Sequence, residues 1–405
     1  MKTVAIVGTL DTKGAEFAFL KSEIERCGCA ALVFDAGVSG RPAFPPDVGA
    51  EEICAAGDDP IASLHELDRG AALDIMAKML PVVVKRYYDE GRFDGIISMG
   101  GGGGTALGSS AMRPLPIGVP KIIVSTIAAA DTSPYIGSSD ITMMPSVVDV
   151  AGLNRISRTI FANAAAAICG MVKERQEAPV ADDDRPLIAA SMFGNTTRAV
   201  NQARKLIEDK GFEVLVFHAT GTGGRTMERL IAEGFFAGVL DLTTTEWADE
   251  VCGGVLSAGP SRLEAAAKAG IPQVVTPACI DMCNFWAPET IPRRYAERKF
   301  HHWSPNVTLM RTNAEENAEM GRIFARKLSA SAGPVAILVP MKGFSEVDAP
   351  GKPFWWPEAD QAFVDALRGA LRPDIPILLL DYNVNEPEFS EQAANTLLQM
   401  LNMRT

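Results

Sequence analysis

Residues 4–37 read VAIVGTLDTKGAEFAFLKSEIERCGCAALVFDAG, and residues 187–221 read LIAASMFGNTTRAVNQARKLIEDKGFEVLVFHATG. Laid together with one three-residue gap, Gly8 falls on Gly194, Gly28 on Gly211, and Val33-Phe34 on Val216-Phe217. Each stretch is a short apolar run, a longer segment of helical periodicity, and a second apolar run. Continuous apolar runs are the mark of strands buried on both faces, and their alternation with helices predicts parallel βαβ units. The correspondence continues along the chain. GRFDGIISMGGGG at 91–103 faces GFFAGVLDLTTTE at 234–246, and VPKIIVSTIAAAD at 119–131 faces IPQVVTPACIDMC at 271–283. The fold class expected is α/β, with two related doubly wound, Rossmann-like parallel-sheet domains at 1–180 and 184–405. The segment KERQEAPVADDDRP at 173–186, charged and proline-containing, reads as the linker between them.

Bulk composition fits this organisation. The chain has 405 residues, too many for one ordinary core. A net charge of −12 and the lack of a basic run exclude a general phosphate-backbone binder, so nucleic acid is not an expected partner. No apolar stretch reaches the length of a membrane span. Seven cysteines without a secretory signal predict free thiols and a cytoplasmic location, and no metal-thiolate site is expected.

In doubly wound sheets ligands sit beyond the carboxyl ends of the strands. In the first half, GTLDTKG at 8–14 follows the first strand and opens a helix. Gly8, Thr9, Asp11, Thr12 and Lys13 there suit a bound anion, and equally suit a tight turn with Asp11 or Thr12 as helix cap. Asp35 ends the second strand, the place from which an acidic residue reaches a ribose in dinucleotide-binding folds, or where a solvated strand-end aspartate sits. Five glycines occupy 100–104 in SMGGGGGTALG. Consecutive glycine N–H groups form an anion-binding nest, and no Cβ holds a polyanion away. Gly101, Gly102, Gly103, Gly104 and Thr105 are therefore read as a phosphate loop, with a helix opening at the TALGSSAM segment. Gly102 stands where sugar and lipid kinases carry an aspartate, which argues against a kinase. Ser125 and Thr126 extend the same rim.

These motifs, with HATGTGGRTME, DLTTTEWADEVCGG, IDMCNFW and NVTLMRT, resemble the tomato mosaic virus resistance protein-like ATP-binding family along essentially the whole chain. The resemblance implies two Rossmann-like subdomains, ATP bound in the first, and homodimers. It places the ATP site on Gly8, Thr9, Asp11, Thr12, Lys13 and the glycine loop. The C-terminal barrel of the plant namesake is not expected from this sequence, and its antiviral role is not carried over.

The second half holds the more reactive side chains. His218, a candidate catalytic residue, occupies the place of Asp35, and the 218–225 turn ends in Arg225. His302, beside His301 in a polar segment read as a loop, is a candidate acid–base group, or one of a pair of surface histidines. Asp281 and Glu246 are further catalytic candidates that suit Mg²⁺ or capping. Arg225, Asn284, Arg294 and Arg311 suit a small anionic metabolite. NVTLMRT is expected to end a strand of the second doubly wound sheet. FWWP at 354–357 reads as a docking surface. Two functions follow as expectations: an ATP-dependent enzyme acting on a small anion at the interdomain or second-domain cleft, or a non-catalytic nucleotide-binding regulator.

Overall fold

The computed structural model describes residues 1–57, 64, 66–174 and 185–403. The chain forms two compact units, Met1–Asp182 and Asp183–Thr405. Most of the segment read as a linker, 175–184, lies outside the described residues.

In the first unit the apolar runs become five parallel strands: β1 (Thr3–Gly8), β2 (Ala30–Asp35), β3 (Gly95–Gly100), β4 (Lys121–Ser125) and β5 (Thr142–Pro145). Their spatial order is β2-β1-β3-β4-β5. Every residue of β3 and β4 is buried, which explains why neither alternates polar and apolar residues. One face packs Val4, Ile6, Ile97 and Val124 against Phe17, Leu20 and Ile24 of the Leu10–Arg26 helix and Phe161 and Ile168 of the Arg155–Glu174 helix. The other packs Ala5, Val7, Ile96 and Ile123 against Met76, Leu80 and Val83 of the Arg69–Asp89 helix and Leu107 and Met112 of the Gly102–Met112 helix.

The second unit repeats the plan with β6 (Leu187–Met192), β7 (Glu213–His218), β8 (Gly238–Asp241) and β9 (Gln273–Val275). After β9 the chain leaves the parallel sheet. It runs through β10 (Met282–Phe285), β11 (Phe300–Ser304) and β12 (Val307–Arg311), a separate antiparallel sheet of order β10-β12-β11. It then returns as β13 (Val335–Pro340) and β14 (Ile377–Leu380), so that the parallel sheet reads β14-β13-β9-β8-β6-β7.

The sequence repeats coincide with the topology. β1, β3 and β4 of the first unit stand where β6, β8 and β9 stand in the second. The antiparallel sheet corrects two expectations. NVTLMRT is its middle strand and not a member of the parallel sheet. His301 and His302 lie in strand β11 and not in a loop. The cause is local: Pro305-Asn306 closes β11 onto β12 as a hairpin, and adjacent strands joined by so short a turn can pair only antiparallel.

Candidate functional site

In the first unit the chain passes from β1 to β2 on one side, then crosses back to place β3 on the other side of β1. The connections diverge between β1 and β3, and the crevice at a sheet's carboxyl end opens at that kind of point. The two sequence motifs are the segments that flank it. Thr9, Asp11 and Thr12 follow β1, and Gly101–Gly104 follow β3.

The glycine run is not an extended nest. Gly101 is the N-cap of a helix that begins at Gly102, so three glycines form its first turn. The reason lies in packing. A Cβ on Gly100 would come within 2.9 Å of the Gly104 Cα, and one on Gly104 within 3.1 Å of the Met99 carbonyl oxygen. These two glycines let the helix start immediately on the strand. Gly102 is different, because a Cβ there would meet nothing within 4 Å. The N–H groups of Gly102, Gly103 and Gly104 carry no partner among the described residues, as the first turn of a helix requires. The positive end of the helix dipole therefore lies bare at the crevice.

The other residues assigned to this site divide into those that face the crevice and those that build it. Gly8 is a glycine for packing, since a Cβ would lie 2.1 Å from the Phe17 ring. Asp35 is buried and its Oδ1 accepts from the Leu10 and Gly37 N–H groups at 3.0 and 2.9 Å, which anchors the β1 turn. Burial outweighs those two bonds and raises its pKa. Lys13 donates its ammonium to the Val150 carbonyl. Asp11 accepts from the Ser39 N–H with one oxygen, and its other oxygen is buried without a partner. Thr9 and Thr12 share a hydroxyl hydrogen bond of 3.0 Å. Thr105 bonds Ser125 at 2.7 Å, both buried, which ties the glycine helix to the end of β4. Thr126 donates its N–H to the Gly100 carbonyl. Beside it opens a cavity of about 530 Å³ lined by Ser125, Thr126, Ala129, Pro145, Ser146, Val147, Val148 and Asp149. Val147 adopts φ 66°, strained for a β-branched residue, in a turn closed by a 2.7 Å bond from the Val148 N–H to the Ser146 carbonyl.

The equivalent crevice of the second unit lies between β6 and β8, and side chains close it. Thr196 and Thr243 hydroxyls bond at 2.7 Å with both residues fully buried, and Ser191 donates to Asp241 at 2.6 Å. The residues expected to hold an anion here do not converge on one pocket. The 218–225 turn does gather backbone N–H groups, but Glu246 fills it: its carboxylate accepts from Gly221 and Gly224 at 2.7 and 3.1 Å. Glu246 also pairs with Arg262, which binds Asp241 through both terminal nitrogens and reaches Glu228. Arg262 is 1% exposed. Arg225 turns to the Ser257 carbonyl and Thr222.

A second buried set surrounds Arg311. It donates to the Phe354 carbonyl at 2.7 Å and to Asp360 at 2.6 Å, with Asp348 at 3.7 Å. Asp281 belongs to this set, accepting from Ser345 at 2.8 Å, and burial beside Asp348 pushes it up to about 7. Asn284 is bonded to buried Asp249 at 2.7 Å, and Asp249 is likewise pushed up to about 7, by desolvation. Arg294 donates to the Cys252 carbonyl. Arg311, Asn284, Asp281 and Glu246 are thus interior groups, and no cluster of three or more His, Cys, Asp or Glu suited to a metal occurs among the described residues. Alternation along β11 separates the two histidines. His301 stands on the side of Trp303, Leu309 and Phe354, whereas exposed His302 pairs with Thr308 on the opposite side. Only His301 shares a side with the end of β6, correcting the choice of His302.

Two family models match the chain: the N-terminal domain of Uncharacterised protein family UPF0261 over residues 2–177 and its C-terminal domain over 185–401. The chain belongs to the UPF0261 family. A UPF0261 protein of Clostridium tetani is 47% identical over 99% of both chains, and one of Mesorhizobium japonicum is 43% identical over 97% of this chain and 98% of its own. The ToMV resistance protein Tm-1 of Solanum lycopersicum is 37% identical over 98% of this chain, which spans 55% of that protein. Among solved structures, UDP-N-acetylglucosamine 2-epimerase from Rickettsia bellii aligns at 11% identity over 100% of this chain and 97% of its own. The TM-score of 0.23 is too low to support any argument.

In this UPF0261 chain some site-building residues escaped sequence reading. Arg262 sits in GPSRLE, with no motif to mark it as the hub of three carboxylates. Phe193 and Gly194 lie within the sequence repeat, which marks no role for them. A cavity of about 740 Å³ is lined by Trp247, Val251, Pro260, Glu264, Ile323 and Lys327 among others. No helix of the described residues is long and apolar enough to cross a membrane.

Proposed function

We propose that the protein binds an adenine nucleotide, ATP, through its phosphates at the β1/β3 crevice of the first unit. One observation carries this reading: a helix whose first turn is glycine, with unpartnered N–H groups, opens at the topological switch point of a parallel sheet. Thr9 and Thr12 supply hydroxyls across from it. The 530 Å³ cavity beyond Thr126 adjoins the same turn and suits the remainder of the nucleotide. The second unit is not a second copy of this site, because threonines take the place of the glycines and Thr196 and Thr243 bond across the crevice.

The reading is one of binding, and the non-catalytic alternative gains from the structure. Glu246, Asp281 and Arg311, expected to act on a small anion in the second unit, are tied into buried charged networks, and Lys13 in the first unit is committed to a backbone carbonyl. Calorimetry of ATP, with and without Mg²⁺, on Gly102→Val tests the site. The added side chain meets no protein atom at its Cβ, so the variant should melt no lower than the parent yet lose ATP affinity by tenfold or more. Unchanged affinity would remove the assignment.

A further inference from the structure

At the carboxyl end of β6, on the second unit, two groups of aromatic rings meet at Gly194 to form a stripe. The His218 ring lies 5.6 Å from Phe193, centroid to centroid, at an interplanar angle of 38°. Phe193 is followed by exposed Gly194, whose missing Cβ would lie 3.8 Å from the Trp303 ring. Trp303 is 6.4 Å from His301, and His301 is 6.2 Å from Phe354. The stripe gathers residues from four places in the chain: the ends of β6 and β7, the β11 strand and the FWWP segment.

Its two ends differ in exposure. Phe354 is fully buried, packed with Cys279, Met282, Leu309 and Val347, and Phe193 packs against the same cluster. Trp303 is 44% exposed, and His218 is exposed. The base is held rigidly, because Arg311 clamps the Phe354 and Trp356 carbonyls while Asp360 holds the guanidinium. The buried network that sequence reading took for a substrate site thus fixes the root of this surface. The imidazoles of His218 and His301 and the Trp303 indole N–H make no hydrogen bond to the described residues. No carboxylate pairs with either imidazole among those residues. Ring faces attract planar ligands, and the free ring nitrogens favour a ligand rich in acceptors.

We propose that this stripe is a stacking platform for a planar aromatic acid, with the ring seated on Trp303 and Phe193 over Gly194 and the carboxylate toward exposed His218. The site is distinct from the nucleotide crevice and does not depend on it.

The test uses the full chain and two probes of matched charge, benzoate and cyclohexanecarboxylate, in saturation-transfer NMR at millimolar concentration. Benzoate should bind, and the saturated acid should bind at least about threefold more weakly, because it lacks a π face. Trp303→Ala should weaken benzoate by about fivefold with an unchanged melting temperature, as expected for removing an exposed ring. His218→Ala should weaken it also, and Gly102→Val should leave it unaltered. Equal binding of the two acids, no binding of benzoate, or full binding to Trp303→Ala would overturn the proposal. Should Trp303→Ala melt lower, Trp303→Leu, apolar but without a π face, decides: retained benzoate binding overturns the platform and loss supports it.

Discussion

Arg262 shows how a single buried side chain organises a unit. Its guanidinium binds Asp241, Glu246 and Glu228, groups from the end of β8, the start of the Glu246–Cys252 helix and the Thr222–Ala232 helix. Glu228 in turn accepts the N–H groups of Leu263, Glu264 and Ala265, so one arginine ties together the segments around it. Removing one partner of a buried ion network leaves charges without compensation, at a cost of about 3–5 kcal/mol. Arg262→Ala should therefore lower the second unit's unfolding free energy by about that amount in urea titration, an effect of this size being far beyond an exposed pair such as Lys85–Asp89. A loss below about 1 kcal/mol would show that the network is dispensable.

At the scale of elements, the two glycine motifs separate into packing and access. Gly8 ends β1 under the Phe17 ring, so a Cβ there forces strand and helix apart. Gly102 begins its helix in open space. Gly8→Ala should destabilise the first unit by about 1–3 kcal/mol through overpacking. Gly102→Ala should stabilise it slightly, by up to about 1 kcal/mol, because alanine loses less backbone entropy in a helix. Thermal melts of the two single variants, one falling and the other holding or rising, would bear out this division; equal losses would contradict it. The glycine run is legible in sequence as a place without side chains. Which of its members serve the helix contact and which leave the crevice open depends on the approach of Met99 and Gly104, residues that the sequence alone does not bring together.

For the whole molecule, the buried carboxylates set the response to pH. Asp249 and Asp281 are raised to about 7, and Glu246, Asp348 and Asp360 are also raised, desolvation being the largest cause for each. The sign follows from linkage: a group whose folded pKa exceeds its unfolded value binds more protons when folded. Its contribution is fully present below pH about 4 and is lost as pH rises through about 7. Melting temperature should accordingly be higher at pH 5.5 than at pH 8, and Asp249→Asn should flatten part of that slope. A melting temperature that rises steadily from pH 5.5 to 8, or a slope unchanged by Asp249→Asn, would count against the buried charges as its source.

The sequence by itself determined the doubly wound plan and the repeat. Short unbroken apolar runs alternating with helical segments fit strands buried on both faces, and the recurrence at β1, β3, β4 and β6, β8, β9 is a matter of local pattern. It also marked the two segments that flank the first crevice, because glycine at a strand end is a local signal. Tertiary structure alone decided the fate of the polar residues in the second half. Arg311, Asn284, Asp281 and Glu246 look like ligand groups in a linear reading, yet each is satisfied by a partner brought from elsewhere in the chain: Asp360, Asp249, Ser345 and Arg262. The pairing of β11 with β12, with Phe354 brought in from far along the chain, placed His301, and not His302, beside Trp303 and Phe354, since the facing of a strand residue is set by the sheet it joins. A charge advertises chemistry in sequence, but whether it faces a ligand or an internal partner is settled by contacts between residues tens of positions apart.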